Sequence, residues 1–294
     1  MLIIQSYAGN HFLISDNKPK IHLVIFGGGK GYKRSARRLL SQANGKGIFS
    51  TCKSIYDSDL DRLFPETSQN ISKVKNKIGG NLGFGLWIWK PDMILHLMSR
   101  TPENEIILYL DAGCTLNLKN LEAIKRLQDY AQMASINCLF AMQQWDGEFD
   151  QKDLSDKYWG STELRDLIDV SESDFITNQV QSGIVFVKNC QTSRGFIEKW
   201  KAIMLQDDFK YLIGEVTAQY RYDQSIFSLL YKASRYPTFP DETYFYPMWE
   251  ENGANFPIWA TRINDGVDPF TIRLSDLLFR SKRKITELLK ISAP

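Results

Sequence analysis

The chain has 294 residues, of which 43% are hydrophobic and 13% aromatic, and its 36 basic and 34 acidic side chains leave a net charge of +2. This length fits one large α/β domain, alone or with a short appendage. The balanced charge excludes a general nucleic-acid-binding surface, so any basic function has to be local. The chain shows neither an apolar run of transmembrane length nor a signal peptide, so we expect a soluble or peripheral protein.

The four cysteines are far apart in the sequence, with no C-x-x-C pair and no histidine at ligand spacing. This spacing argues against a zinc ribbon or a redox motif. It predicts free thiols in a reducing cytosol at Cys52, Cys114, Cys138 and Cys190.

Strands and helices alternate along the chain, as judged from hydrophobic periodicity. The predicted strands are 21–26, 48–56, 106–110, 138–142 and 183–188, and the predicted helices are 34–43, 92–99, 121–134, 196–204 and 223–233. A polar, lysine-rich stretch, 68–77, follows the second strand. The alternation indicates an α/β fold, a mostly parallel sheet with helices on both faces. Ligands in such folds bind beyond the carboxyl ends of the strands, so site residues are expected at 27–29, at Asp111, at 143–150 and around 183–188.

The common nucleotide and hydrolase motifs are incomplete in this sequence. A dinucleotide fingerprint that starts at Gly27 needs a glycine where the chain has Tyr32, and no Gly-Lys-Ser/Thr triplet completes a P-loop. With three histidines and no G-x-S-x-G elbow, a Ser-His-Asp hydrolase is also disfavoured. His96 lies within a predicted helix and is expected to be packed or solvated.

A carboxylate ends the apolar strand 106–110, where Asp111 is followed by Ala-Gly. Such a strand end delivers the carboxylate to a cleft, or the aspartate only caps a turn. Lys90 precedes it by one helix and one strand, and Trp87 and Trp89 either wall a base or sugar or pack beneath the sheet. A carboxylate with a lysine suits a nucleoside diphosphate, whose pyrophosphate is bound by a divalent cation, by basic side chains or by both.

Two segments, "GFGLWIWKPDMIL" (83–95) and "IILYLDAGCTLN" (106–117), resemble a bacterial group of glycosyltransferases with the GT-A fold. In that group a G-[YF]-G-x-W-x-W-K-P segment precedes a Y-[LI]-D-A-G-C strand end. Three further segments match in the same order, "FSTCKSIYDSDL", "TNQVQSGIVFVKN" and "RYDQSIFSLL", so the likeness covers about residues 20 to 240. The W-K-P and D-A-G-C pair is fairly specific, whereas the other segments are weak singly.

The resemblance implies transfer of a sugar from a nucleotide-sugar donor, with a UDP-sugar favoured, to a glycan or lipid-linked acceptor in surface polysaccharide, O-antigen or capsule assembly. It implies catalytic roles for Asp223 and Asp111. The donor-binding residues it implies are Lys90, Asp111 and Gly113. To these we add Gly27 from its strand end, and Trp87 and Trp89 from their aromatic rings. The residues that it places on the acceptor or sugar side are Gln179, Ser182 and Gln224. For Asp223, a helix N-cap is the competing explanation.

The sequence departs from related transferases at the metal site. Those enzymes hold Mn²⁺ on the donor diphosphate with two aspartates, and the second position is Gly113 here. Asp111 alone would hold Mn²⁺ or Mg²⁺ more weakly, with water and phosphate oxygens completing the shell. Lys90 would then carry more of the stabilisation of the leaving group.

The C-terminal segment "IRLSDLLFRSKRKITELLK" has leucines and isoleucines at helical spacing with basic residues between them. We therefore divide the chain into a GT-A-like catalytic domain, 1–270, and a basic amphipathic helix or tail, 271–294. Such a tail either lies on an anionic membrane surface or packs on the domain with a solvated basic face. The expected location is the cytoplasm, peripheral at the inner face of the membrane.

Two other classes of function stay open from the sequence. A nucleotide-sugar hydrolase or pyrophosphorylase would share the donor site but would not need an acceptor. A non-catalytic carbohydrate-binding module would use the aromatic residues without Lys90 and Asp111 beside a nucleotide cleft.

Overall fold

A computed structural model of the chain describes residues 3–5, 11–13, 18–45, 47–145, 153–214 and 220–264. Its strands are β1 Ile3–Gln5, β2 His11–Leu13, β3 Ile21–Gly27, β4 Thr51–Tyr56, β5 Ile106–Asp111, β6 Thr115–Leu116, β7 Leu139–Phe140, β8 Ile184–Lys188 and β9 Ile258–Trp259. Its longer helices are α1 Gly29–Ala43, α2 Pro65–Ile78, α3 Lys90–Met98, α4 Leu121–Asn137, α5 Gln191–Ile213 and α6 Tyr222–Ala233. Short helical turns lie at Asp57–Asp59, Leu60–Leu63, Gly83–Leu86, Asp156–Trp159, Thr162–Ile168, Glu172–Phe175 and Trp249–Asn252.

The central sheet has five strands in the order β4-β3-β5-β8-β7. Strand β3 pairs in parallel with β4 and β5, whereas β8 is antiparallel to both of its neighbours, β5 and β7. Four of the five strands therefore run in the same direction, and the predicted mostly parallel α/β sheet is confirmed. The reversed strand β8 brings its amino end to the edge at which β3, β4 and β5 end.

The sheet carries helices on both faces because its strands are apolar on both sides, as parallel sheets usually are. On one face, Leu23 and Leu108 pack in a cluster with Leu39 of α1 and Leu127 of α4. On the other face, Tyr109 belongs to a cluster with residues of α2, α3, α5 and α6. These two layers fix the strand ends and so the loops that follow them.

The lysine-rich stretch 68–77 belongs to helix α2, which the sequence pattern did not predict. Its buried face is Thr67, Asn70, Ile71 and Val74, at the spacing of helical turns. Two of these four side chains are polar, so a search for apolar periodicity misses the helix.

Helix α1 begins at Gly29, five residues before its predicted start at position 34. In the described part of the chain, no helix is long and apolar enough to cross a membrane. The predicted tail, 271–294, lies outside the described residues, and the division of the chain at position 270 stays a prediction.

Candidate active site

A cleft of about 780 Å³ opens at the carboxyl ends of β3 and β5 and the amino end of β8. Its walls come from the residues at the start of α1, from the Gly/Trp segment (residues 83–89) before α3, from the turn after β5 and from the start of α6. This is the edge at which ligands bind in open α/β sheets. The cleft therefore lies where the sequence predicts a site.

Asp111 is the last residue of β5, and 35% of its side chain is exposed to the cleft. The Tyr109 hydroxyl donates a hydrogen bond of 2.7 Å to its Oδ1 atom. Burial and the neighbouring Asp111 charge raise the pKa of Tyr109 well above its usual value, so the phenol stays a donor. The backbone N–H of Asp111 donates to the Gly183 carbonyl oxygen at 2.8 Å. These contacts fix the carboxylate at the floor of the cleft.

Lys90 joins Asp111 to Asp223. Its Nζ atom lies 2.9 Å from Oδ2 of Asp223 and 3.4 Å from both carboxylate oxygens of Asp111. The Ser182 hydroxyl accepts from Lys90 at 3.1 Å and donates to Oδ2 of Asp223 at 2.7 Å. Lys90 is 2% exposed and Asp223 3% exposed, so a buried ion pair is joined here to a second carboxylate, Asp111, that faces the cleft.

Burial and charge act in opposite directions on this network. Burial lowers the pKa of Lys90, but the charges of Asp111 and Asp223 outweigh it and raise that pKa above the usual value. Burial raises the pKa of Asp223, and Lys90 and Ser182 only partly oppose that shift. Lys90 is therefore cationic, and the charge state of Asp223 depends on its contacts with Lys90 and Ser182.

The Gly/Trp segment forms a left-handed turn beside the cleft. Residues Gly83 to Trp87 all have positive φ angles, and Gly83 and Gly85 relieve part of the steric cost. A Cβ atom at Gly83 would lie 2.3 Å from the Trp87 ring, so this turn requires glycine for space as well. The turn presents Trp87 to the cleft, where its ring stacks on that of Tyr222, with centroids 6.2 Å apart.

Trp89 was predicted either to wall a base or sugar or to pack beneath the sheet, and its position has features of both. It lines the cleft, yet it is 4% exposed, and its ring lies against Phe26 of β3 with centroids 4.0 Å apart. It therefore packs beneath the cleft and supports its floor.

Arg38 of α1 holds the turn after Asp111. Its Nη2 atom donates to the carbonyl oxygens of Cys114 at 2.7 Å and Ala112 at 3.4 Å, and its Nη1 atom donates to the Thr115 hydroxyl at 3.3 Å. The D-A-G-C turn thus depends on a guanidinium from another element, which the sequence pattern did not identify.

A chain of hydrogen bonds orients the Gln224 amide. The buried Lys232 lies 2.6 Å from Oδ2 of Asp156, and the other oxygen of Asp156 accepts from Nε2 of Gln179 at 3.0 Å. Because an ionised carboxylate only accepts, Gln179 must point its NH₂ group at Asp156. Its carbonyl oxygen accepts from Nε2 of Gln224 at 2.8 Å. Gln224, which lines the cleft, therefore has its own carbonyl oxygen left as an acceptor.

Eight of the ten residues singled out from the sequence line this cleft: Trp87, Trp89, Lys90, Asp111, Gly113, Ser182, Asp223 and Gln224. Gly27 lies under α1 instead, where a Cβ atom would be 2.9 Å from the Ala36 side chain, and Gly28 and Gly29 line the cleft. Gln179 is fully buried behind Gln224 and acts through it. The cleft also contains Arg221 and Arg262, which the sequence reasoning missed.

The donor set does not fit a divalent cation. Hard cations take several oxygen ligands, and at the D-A-G-C turn Gly113 supplies no side chain beside Asp111. The Lys90 ammonium lies within 3.4 Å of both Asp111 oxygens and would repel a dication there. Over the described ranges, no group of three or more His, Cys, Asp or Glu side chains is placed to hold a metal ion.

No protein-family model matches the sequence, and no curated protein matches it. Among the solved structures similar to this chain is a glycosyltransferase involved in the glycosylation of the major capsid of PBCV-1. It is 13% identical with a TM-score of 0.45, and the match covers 82% of this chain and 92% of that one. Mouse xyloside xylosyltransferase 1, in its apo form, is 10% identical with a TM-score of 0.42, over 82% of this chain and 97% of that one. Because folds host many unrelated activities, likenesses at this level carry no activity over to this chain.

Proposed function

We propose that the chain is a glycosyltransferase that moves a sugar from a nucleotide-sugar donor to an acceptor hydroxyl. The observation that supports this most is the Asp111–Lys90–Asp223 network at the floor of a cleft with aromatic and arginine side chains. A pair of carboxylates is suited to proton transfer at the sugar, and cations are suited to binding the diphosphate. The aromatic faces are suited to packing against the base or the sugar ring. The resemblance of the W-K-P and D-A-G-C segments to bacterial glycosyltransferases points the same way.

In the proposed reaction, the acceptor oxygen bonds to the anomeric carbon while the bond from that carbon to the β-phosphate oxygen breaks. The acceptor proton passes to a carboxylate, for which Asp223 is the candidate, because the resemblance implies an acidic residue near the transferred sugar at this position. Departure of the nucleoside diphosphate leaves negative charge on the phosphate, which nearby cations stabilise. Gln224 offers its carbonyl oxygen to a sugar hydroxyl, which is a donor.

We further propose a UDP-sugar as the donor and a glycan or lipid-linked acceptor in surface polysaccharide assembly, at the cytoplasmic face of a membrane. The motif resemblance supports the donor and the pathway class. The basic and apolar residues of 271–294 support the location.

A panel of nucleotide sugars tests the proposed function. A cognate donor should raise the melting temperature of the wild-type protein, and product should form only when an acceptor is added. Asp111→Asn should abolish transfer while the folded state persists, since the amide keeps the volume and loses the charge. Sugar release without an acceptor would identify a hydrolase, and no thermal shift with any nucleotide sugar would overturn the proposal.

A further inference from the structure

The Lys90 ammonium has its hydrogen-bonding capacity used within the protein. An ammonium has three donors, and its near partners are Asp223 at 2.9 Å, the Ser182 hydroxyl at 3.1 Å and Asp111 at 3.4 Å. A phosphate could recruit Lys90 only by leaving a buried carboxylate without its cation, which is costly. Other groups must therefore neutralise the diphosphate of a donor.

Arg221 faces the cleft, and among the described residues one hydrogen bond occupies its guanidinium donors. Its Nη1 atom donates to the side-chain oxygen of Gln144, and its guanidinium lies 4.1 Å from the centroid of the Trp159 ring. A guanidinium has five N–H donors, so these contacts orient the plane and leave donors for a ligand. No carboxylate of the described residues forms an ion pair with Arg221.

Arg262 lines the same cleft, with its backbone next to Gly113. The chain around it is fastened to the D-A-G-C turn, because the Gly113 carbonyl oxygen accepts from the Ile263 N–H and the Thr261 hydroxyl, both at 2.9 Å. No described carboxylate pairs with Arg262 either. Burial and the Arg262 charge lower the pKa of Arg221 to about 10. Two guanidinium groups thus face one cleft without a counter-ion in the described part of the chain.

We propose that Arg221 and Arg262 bind the diphosphate of the nucleotide-sugar donor without a divalent cation, and that the Lys90 ammonium, held between Asp111 and Asp223, supplies the positive charge beside Asp111. This inference rests on the proposed function, whose donor it describes. Guanidinium forks match phosphate oxygens in pairs, and Arg221 is already held in plane by Trp159 and Gln144. The arginine pair supplies the two positive charges that a dication would supply, and Lys90 keeps Asp111 from attracting one.

Calorimetry with inorganic pyrophosphate and with UDP tests this site. The wild-type protein should bind both in EDTA, and added Mn²⁺ should leave the affinities unchanged. Arg221→Gln and Arg262→Gln should each weaken binding by about 10- to 100-fold, as expected for the loss of charge-assisted hydrogen bonds. Arg235→Gln is the matched control, because Arg235 is 75% exposed and pairs with Asp174 on the surface, and it should bind like wild type.

Arg262→Lys provides a second variant, which keeps the charge and loses the fork, and it should bind with intermediate affinity. Circular dichroism establishes that each variant is folded. Binding that requires Mn²⁺, or glutamine variants that bind pyrophosphate as wild type does, would overturn the proposed site. If pyrophosphate binds as expected but no nucleotide sugar is a substrate, the proposed function fails and the anion site stands.

Discussion

Lys90 sets the charge at the floor of the cleft. One ammonium contacts two carboxylates there, so the network carries one net negative charge when Lys90 is protonated and both carboxylates are ionised. Replacing one partner of a buried ion pair usually costs more than the pair contributes, because the remaining charge loses its compensation. At the scale of the residue, Lys90 therefore controls the protonation of its neighbours as well as their positions.

The pH dependence of transfer should show this control. Burial raises the pKa of Asp223 above its usual value near 4, so a base at this position loses activity at a higher pH than an ordinary carboxylate would. The acid limb of kcat/KM should lie above pH 4 in the wild type. Lys90→Met should move that limb further up, because it removes the cation that opposes the shift.

Ser182→Ala should move the acid limb in the same direction by a smaller amount, since it removes only a hydrogen bond to Asp223. A limb that does not respond to either substitution would mean that another group is the base.

The site residues differ in how visible they are in the sequence. Asp111 and Lys90 stand next to an apolar strand and a Pro-initiated helix, so their placement follows from periodicity and turn chemistry. Arg221 precedes Asp223 by two residues in the segment "RYDQSIFSLL", but nothing in that segment shows that its side chain enters the cleft, and Arg262 lies outside every matched segment. Tyr109 is the tyrosine of the Y-[LI]-D-A-G-C segment, but its place inside an apolar strand does not reveal its hydrogen bond to Asp111.

At the scale of the element, helix α1 is both a core helix and a support for the active-site turn. Leu39 packs into the core, while Arg38 and Gln42, four residues apart, contact the segment after β5. The side-chain oxygen of Gln42 accepts from the Leu116 N–H at 3.0 Å. The helix thereby couples the core to the position of Asp111.

Arg38→Met should lower the free energy of unfolding by about 1–3 kcal/mol, because it leaves the Cys114 carbonyl oxygen without its strongest donor. Urea denaturation measures this loss. Arg37→Met is the control, since Arg37 is exposed on the same helix and its guanidinium lies 5.9 Å from the Tyr56 ring centroid, so its loss should cost less than about 1 kcal/mol. Equal effects of the two substitutions would mean that the turn after β5 does not depend on Arg38 for its stability.

The ion pair between Asp156 and Lys232 supports a second element, the start of α6, through Gln179. Lys232→Met should destabilise the protein by about 3–5 kcal/mol, because it leaves a fully buried carboxylate unpaired. Adding Asp156→Leu should recover part of that loss, which a double-mutant cycle by denaturation measures. A double variant as unstable as the sum of the single ones would show that the two residues act independently.

Elements with apolar periodicity were predicted from the sequence, and elements with a polar buried face were not. Strands β3 and β5 and helices α3, α4 and α6 appear close to their predicted bounds. Helix α2 and the short helices between Asp156 and Phe175 were missed. The direction of β8 could not be read either, because strand direction depends on the connection and leaves no trace in an apolar strand.

At the scale of the whole molecule, the candidate site residues of the described chain lie at one edge of the central sheet. Both faces of the sheet are covered by helices, so ligands reach the site only across that edge. Orientation toward a large or membrane-bound acceptor then depends on parts of the chain away from the cleft.

Deleting 271–294 should reduce binding to vesicles with anionic lipid while transfer to a short soluble acceptor persists. The segment carries six basic residues, Arg273, Arg280, Lys282, Arg283, Lys284 and Lys290. Each contributes about 1 kcal/mol near an anionic surface, and salt should weaken the binding. Co-sedimentation with anionic and neutral vesicles measures the effect. A full-length protein that ignores anionic vesicles at low salt would contradict a membrane role.

The reversed direction of β8 leaves almost no space at Gly183. A Cβ atom there would lie 2.5 Å from Oδ2 of Asp111, whose other oxygen is held by Tyr109. Gly183→Ala should therefore turn the Asp111 carboxylate away while every charge in the cleft is preserved. Transfer should fall sharply, and calorimetric affinity for UDP should stay close to that of wild type. In the proposed transferase, one methyl group would therefore separate binding of the donor nucleotide from transfer of the sugar.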